Sequence, residues 1–176
     1  MTAVHLARRF FASVVARPPN AGEEAWVRRV LLAGEFDLWK RQSRYDRRHS
    51  LGVARRAERA LGEATEGRWL AAALLHDVGK TEACLGIMGR VIATLTMGAI
   101  GRPRVRAWAT RDGWRGRFGR YGDHGLIGAE LVRAAGGREE AATWASVHHL
   151  IKAKHPRTEL GLPPAVVFVL RDSDRD

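Results

Sequence analysis

The sequence predicts an all-α protein folded as a helical bundle, and three observations support this fold class. Apolar residues recur at helical spacing in most segments, whereas β-branched runs are short and seldom alternate with polar residues. Glycine and proline interrupt the chain at intervals that suit helices of ordinary length. The 176 residues, 45% of them hydrophobic, are enough for one domain with a sizeable core and are unlike a disordered chain.

These patterns place each predicted helix between recognisable breaks. Asn20 is a candidate N-cap near the start of the second helix, and Pro163-Pro164 a candidate first turn of the last one. The segment 102–120 interleaves arginines with Trp108, Trp114 and Phe118, which fits either a basic lid or a surface helix with an aromatic inner face. The candidate helices span 3–16, 22–41, 47–63, 67–78, 84–99, 124–135, 139–151 and 163–175.

The composition is strongly basic. The net charge is +11, and arginine, which favours bidentate contact with phosphate, supplies nearly all of the 30 basic residues. Two interpretations stay open: a compositional bias on a solvated surface, or attraction of an anionic partner such as a nucleotide, nucleic acid or acidic lipid. Cys84 has no second cysteine to pair with, and no secretory signal pattern is visible, so we expect a cytoplasmic protein.

His76-Asp77-Val78-Gly79-Lys80 is the most informative stretch of the chain. It follows the apolar run 69–75 and therefore ends a helix that we expect to be buried. An imidazole and a carboxylate are costly there unless a partner satisfies them, and a metal cation is one such partner. Lys80 could then reach an anion held by that metal.

Other histidines and a late aspartate occur at positions predicted to face inward near helix ends. His49 precedes apolar residues at four-residue steps, and Asp174 shares a helix face with Val167 and Leu170, whereas Asp172 lies on the neighbouring face as a second choice. A single inward histidine is usually a satisfied core residue, but several could share one cation. His5 and His155 are interpreted as surface residues; the inward candidates are His49, His76, His124, His148 and His149.

The order of His49, His76-Asp77 and Asp174 on a helical scaffold resembles the HD superfamily of metal-dependent phosphohydrolases, including HD proteins of actinobacteria. The resemblance covers about 46–174, with 1–45 as an N-terminal helical extension of the same single domain. It implies an HD-domain helical bundle with a mononuclear metal site at His49, His76, Asp77 and Asp174. The histidines 124, 148 and 149 stand where members with two metals add ligands.

The resemblance implies hydrolysis of a phosphate ester, with a nucleotide as the expected substrate. Asp77 would bridge two divalent cations and act with Lys80 in catalysis, and the metal could be Mn, Fe, Co, Ni, Zn or Mg. Lys80 and arginines of the segment 102–120 would bind the substrate. The candidate substrate-binding arginines are Arg115, Arg117 and Arg120.

Two departures from the family pattern limit what the resemblance implies. No Gly-Tyr-Pro follows His148-His149, which argues against cyclic di-guanylate hydrolysis, and the interval 83–122 is long enough to be an insertion. Three alternatives stay open: a non-catalytic module that binds metal or nucleotide, a nucleic-acid-binding protein using the arginine-rich insertion, and peripheral membrane attachment through 85–106. A buried core helix fits the apolar part of that last segment equally well.

Overall fold

A computed structural model describes residues 17–149 and 161–175. Within these ranges the regular secondary structure is helical and includes no strand, so the all-α prediction is confirmed. The predicted helix 3–16 and the interpretation of His5 and His155 lie outside the described residues.

The described residues form ten α-helices. Short 3₁₀ helices follow two of them, at Gly62–Ala64 and Val78–Ala83. The α-helices are α1 (Ala21–Val30), α2 (Ala33–Arg41), α3 (Arg44–Leu61), α4 (Gly67–Leu75), α5 (Ile87–Ile100), α6 (Arg102–Arg106), α7 (Gly113–Gly122), α8 (His124–Ala134), α9 (Glu139–Val147) and α10 (Pro164–Ser173).

The predicted helix 22–41 is wrong as a single element, because the chain is extended at Leu31 and Leu32 between α1 and α2. The carboxylate of Glu35 accepts a hydrogen bond from the Leu32 N–H at 2.9 Å and two more from Arg138, both at 2.8 Å. These bonds hold the break and tie α2 to the start of α9. The predicted Asn20 cap of α1 is confirmed, as its side chain accepts from the N–H of Glu23.

The helix α4 lies at the centre of the main core. Every residue from Trp69 to Leu75 is buried, so all faces of this helix are covered by neighbours. It packs between α3 and α9, while α8 packs on α9 and α10 packs on α3. Burial on all sides explains why the sequence here is a continuous apolar run with no polar stripe.

The residues 85–121 form a second, smaller hydrophobic cluster on α5, α6 and α7. Ala93, Met97, Val105 and Phe118 are its buried members. The segment 102–120 is therefore largely helical and was missing from the predicted helices, although Phe118 faces inward as one interpretation required. The helix α7 packs against the 3₁₀ helix Val78–Ala83, which carries Lys80.

A buried ion pair joins the smaller cluster to the main core. Arg90 of α5 donates two hydrogen bonds, at 2.7 and 2.8 Å, to the carboxylate of Asp46 in the first turn of α3. Only 3% of the Asp46 side chain is exposed. Burial raises the pKa of this carboxyl, but the hydrogen bonds from Arg90 and the charges of Lys80 and Arg90 outweigh it and leave the pKa below its usual value.

Among the described residues, no single helix has the length and apolar character needed to cross a membrane. The segments Gly67–Ala83 and Ile87–Ile100 pass that test only as a pair, and they are bent by 92° relative to each other.

Candidate metal centre

His76 stands directly after α4, at the end of the most deeply buried helix. Its Nδ1–H donates a hydrogen bond to the carbonyl of Ala73 at 2.8 Å, in the last turn, where carbonyls lack a partner further along the helix. This bond fixes the ring and directs Nε2 away from the helix. The Nε2 atom is buried and has no hydrogen-bond partner.

Two further histidines are oriented in the same way. His124 donates from Nδ1 to the carbonyl of Tyr121 at 2.8 Å, and His148 donates from Nδ1 to the carbonyl of Ala145 at 2.9 Å. Each stands just beyond the last turn of a helix, α7 and α9 respectively. Histidines that ligate metals usually donate their other ring N–H in this manner, which leaves Nε2 as the ligand atom.

The carboxylate of Asp77 lies between these imidazoles and presents a different oxygen to each side. Oδ1 lies 3.4 Å from Nε2 of His124 and 3.5 Å from Nε2 of His148. Oδ2 lies 3.3 Å from Nε2 of His76 and forms an ion pair with Lys80. Asp77 is therefore placed to serve two neighbouring cation positions.

The C-terminal end of α10 brings Asp174 to the same place. Its Oδ1 lies 3.0 Å from Nε2 of His49 and 3.4 Å from Nε2 of His76. The side chain of Asp172 is 61% exposed and pairs with Arg175, so the structure brings Asp174 to the cluster and leaves Asp172 outside it. His49 lies in the second turn of α3, later in its helix than the sequence predicted.

The ligand atoms form two groups, each close enough to hold one ion. His49, His76 and Asp77 form the first group, and in each group the ligand atoms all lie within 4.8 Å of one another. The second group is His124, His148 and His149. The buried Nδ1 of His149 has no hydrogen-bond partner, so this ring offers an unused nitrogen to the second group.

The electrostatics of the site depend on two carboxylates that face buried imidazoles. Burial lowers the pKa of His76, but the charges of Asp77 and Asp174 outweigh it and raise that pKa well above its usual value. Burial and the neighbouring histidines His148 and His124 lower the pKa of His149 to about 3. His76 thus favours a positive charge on its ring, which a proton or a metal ion could supply, whereas His149 stays neutral and available as a ligand.

The donor set fits a divalent cation. Imidazole nitrogens and carboxylate oxygens together suit transition metals such as Mn, Fe, Co, Ni and Zn. The buried Nε2 of His76, which faces carboxylate oxygens without forming a hydrogen bond to either, is the atom that such an ion would satisfy. Residues predicted as ligands from the sequence are thus gathered at one place able to hold metal.

The predicted substrate-binding residues lie in different surroundings. Lys80 is at the site, where burial lowers its pKa but the charges of Asp77, Tyr121 and Asp46 raise it overall. Arg115 and Arg117 are exposed on α7. Arg120 donates to the carbonyls of Glu82 and Ala109, at 2.9 and 3.2 Å, so its guanidinium supports the packing of α7 on the 3₁₀ helix.

Arg102 and Arg106 adjoin the second histidine group, although neither was among the substrate-binding residues predicted from the sequence. Arg102 donates to the carbonyl of Gly122 at 3.3 Å, and Arg106 lies 2.7 Å from Asp123, the residue before His124. The only signal in the sequence was that both belong to the arginine-rich segment. Their charges contribute to the low pKa of His149.

Close backbone packing holds the 3₁₀ helix against α8. A Cβ atom added at Gly79 would lie 1.9 Å from the carbonyl oxygen of His124 and 2.6 Å from the nitrogen of Gly128. Only glycine fits here, which gives a structural reason for the glycine after His76-Asp77.

Comparisons with protein-family models, with curated proteins and with solved structures find no significant match to this chain.

Proposed function

We propose that this protein is a metal-dependent phosphohydrolase of the HD type that acts on a phosphate ester, with a nucleotide as the expected substrate. The observation that carries the proposal is the position of Asp77, whose two oxygens face separate groups of buried imidazoles. A carboxylate that could serve two cation positions suits a binuclear hydrolytic site.

The ligands divide between the two positions. His49, His76, Asp174 and Oδ2 of Asp77 would hold one ion. His124, His148 and Oδ1 of Asp77 would hold the other, and His149 offers its Nδ1 beside them. When bound, such cations act as Lewis acids towards a phosphoryl oxygen and lower the pKa of water.

The chain's own residues supply positive charge around the position of the reacting phosphate. The ammonium of Lys80 lies at the Asp77 carboxylate, and its raised pKa keeps it protonated at neutral pH, so we assign it to a phosphoryl oxygen. Arg102 is half-buried next to the residues that precede His124, and we assign it to a second anionic group of the substrate.

The test compares two carboxylates, Asp77 inside the cluster and Asp172 outside it. Asp77→Ala should remove bound metal, measured by elemental analysis, together with phosphoesterase activity against a panel of nucleotides. Asp172→Ala should keep both, because that side chain is 61% exposed and pairs with Arg175. Circular dichroism would establish that both variants fold.

Two results would contradict the proposal. Asp77→Ala that retains metal and turnover would show that the site lies elsewhere. A wild-type protein that binds nucleotides with every tested metal, yet hydrolyses none, would instead support a non-catalytic binding module.

A further inference from the structure

The exposed face of α5 is apolar along most of its length. Met88, Ile92 and Leu95 are 59%, 49% and 55% exposed, and their spacing puts them on one side of the helix. The opposite side carries Ala93 and Met97, which are buried in the smaller cluster. A helix that is apolar on both its inner and its outer side is unusual at a protein surface that faces only water.

The polar side chains of α5 all form hydrogen bonds within the protein, so none of them needs water on the outer face. Arg90, the one charged residue of the helix, turns inward to Asp46. The hydroxyls of Thr94 and Thr96 each donate to a carbonyl four residues earlier, at 2.8 Å. The outer face can therefore enter an apolar medium without leaving a side-chain hydrogen-bonding group unpaired.

Basic residues follow the apolar face directly. After Gly101 the chain enters α6, which carries Arg102, Arg104 and Arg106, and Arg104 is exposed. A second copy of this chain would bring the same basic residues and another net charge of +11, whereas an anionic surface complements them. Charge complementarity thus favours a negatively charged lipid surface as the partner.

We propose that α5 and the start of α6 form a membrane-docking surface, in which Met88, Ile92 and Leu95 enter the interface of an anionic bilayer and Arg104 contacts lipid phosphates. Apolar burial combined with attraction to anionic headgroups is the general basis of such peripheral binding. None of these surface residues is a candidate metal ligand, so membrane binding and the proposed function can be tested independently.

The test is co-sedimentation of the full chain with vesicles of phosphatidylcholine alone and with vesicles that also contain phosphatidylglycerol. The wild type should bind the mixed vesicles, and salt should weaken this binding. The double variant Ile92→Gln/Leu95→Gln should bind about ten-fold more weakly or worse. Phe168→Gln on α10 is the matched control, because Phe168 is 55% exposed, as Leu95 is, and should bind normally.

A separate variant tests the electrostatic contribution to vesicle binding. Arg104→Gln should lower partitioning onto the mixed vesicles about five-fold. Arg59→Gln, at an exposed position on α3, should have little effect. Thermal unfolding would show that each variant is folded.

Any of three outcomes would overturn the proposal. The first is equal sedimentation of the wild type and the double variant with the mixed vesicles, and the second is equal sedimentation of the wild type with neutral and with anionic vesicles. The third is a wild-type dimer in vesicle-free buffer that becomes monomeric in the double variant, which would assign this face to a second copy of the chain.

Discussion

At the scale of single residues, His76 determines how the site responds to pH. Burial lowers the pKa of its ring, but the charges of Asp77 and Asp174 raise it well above the usual value, which favours the protonated ring in the metal-free protein. A metal needs the Nε2 lone pair and must displace that proton. Metal affinity should therefore fall as the pH decreases below the raised pKa.

Isothermal titration calorimetry of Zn²⁺ or Mn²⁺ binding in two buffers with different ionisation enthalpies would measure the released proton. We expect about one proton per ion bound at the first position at neutral pH. His76→Gln should lose most of the affinity along with this release. Identical heats in both buffers would contradict the assignment of His76 as a protonated ligand.

Gly79 allows the backbone of the 3₁₀ helix to pack directly against that of α8 beside the site. Gly79→Ala should destabilise the protein by about 1–3 kcal/mol, since a Cβ would meet the carbonyl of His124. Gly98→Ala is the control: nothing lies within 4 Å of its Cβ position, and alanine should stabilise that helix by about 0.5–1 kcal/mol. Urea unfolding would measure both, and equal stability of the two variants would refute the packing argument.

Much of the site could be predicted residue by residue, because helical spacing decides which side of a helix a residue faces. That spacing pointed His49 inward and favoured Asp174 over Asp172, and the structure has both in these places. The hydrogen bonds that orient His76, His124 and His148 were not predictable, since they depend on where each preceding helix ends. The positions of Arg102 and Arg106 depend on the fold of the segment 83–122, for which helical spacing gives no guide.

At the scale of helices, the ion pair between α3 and α5 should make stability depend on pH. The pKa of Asp46 is lowered in the folded state, so its contribution is present above the unfolded pKa and is lost as the pH falls through the folded value. Asp46→Asn should flatten the decline of stability in acid. Urea unfolding at a series of pH values would measure this, and an unchanged acid profile would contradict it.

Arg90→Ala should be more damaging than Asp46→Asn at neutral pH. It leaves the Asp46 carboxylate buried without its bidentate partner, which costs about 3–5 kcal/mol in comparable pairs. The exposed pair of Arg133 and Glu139 offers a control, because Arg133→Ala should change stability by less than about 1 kcal/mol. Similar losses in both arginine variants would mean that the buried pair has no special role.

The helices that were predicted incorrectly share a physical cause. Leucine favours a helix, so nothing local to Leu31 and Leu32 indicated a break; the break depends on Glu35 and on Arg138, far away in the sequence. The helices α6 and α7 are short and arginine-rich, and they are held by contacts to the smaller cluster. By contrast, α4 has a long apolar run between clear breaks and was predicted nearly to its ends.

At the scale of the whole molecule, the candidate ligands come from helices that are far apart in the sequence. His49 lies on α3, His76 and Asp77 follow α4, and Asp174 ends α10. Such a site forms only when the bundle is assembled, because no two of these helices are held together in the unfolded chain. A metal bound there would link α10 to the rest of the core.

Metal should therefore stabilise the entire fold by mass action. At a free concentration about 100 times the dissociation constant, the expected gain is about 2.7 kcal/mol, which urea unfolding with metal and with chelator would measure. Asp174→Asn should lose most of this gain because it removes the ligand supplied by α10, whereas Asp172→Asn should keep it because Asp172 lies outside the cluster. If metal stabilised the wild type and Asp174→Asn equally, α10 would have no part in the centre, and the ion would be held by the histidines and Asp77 alone.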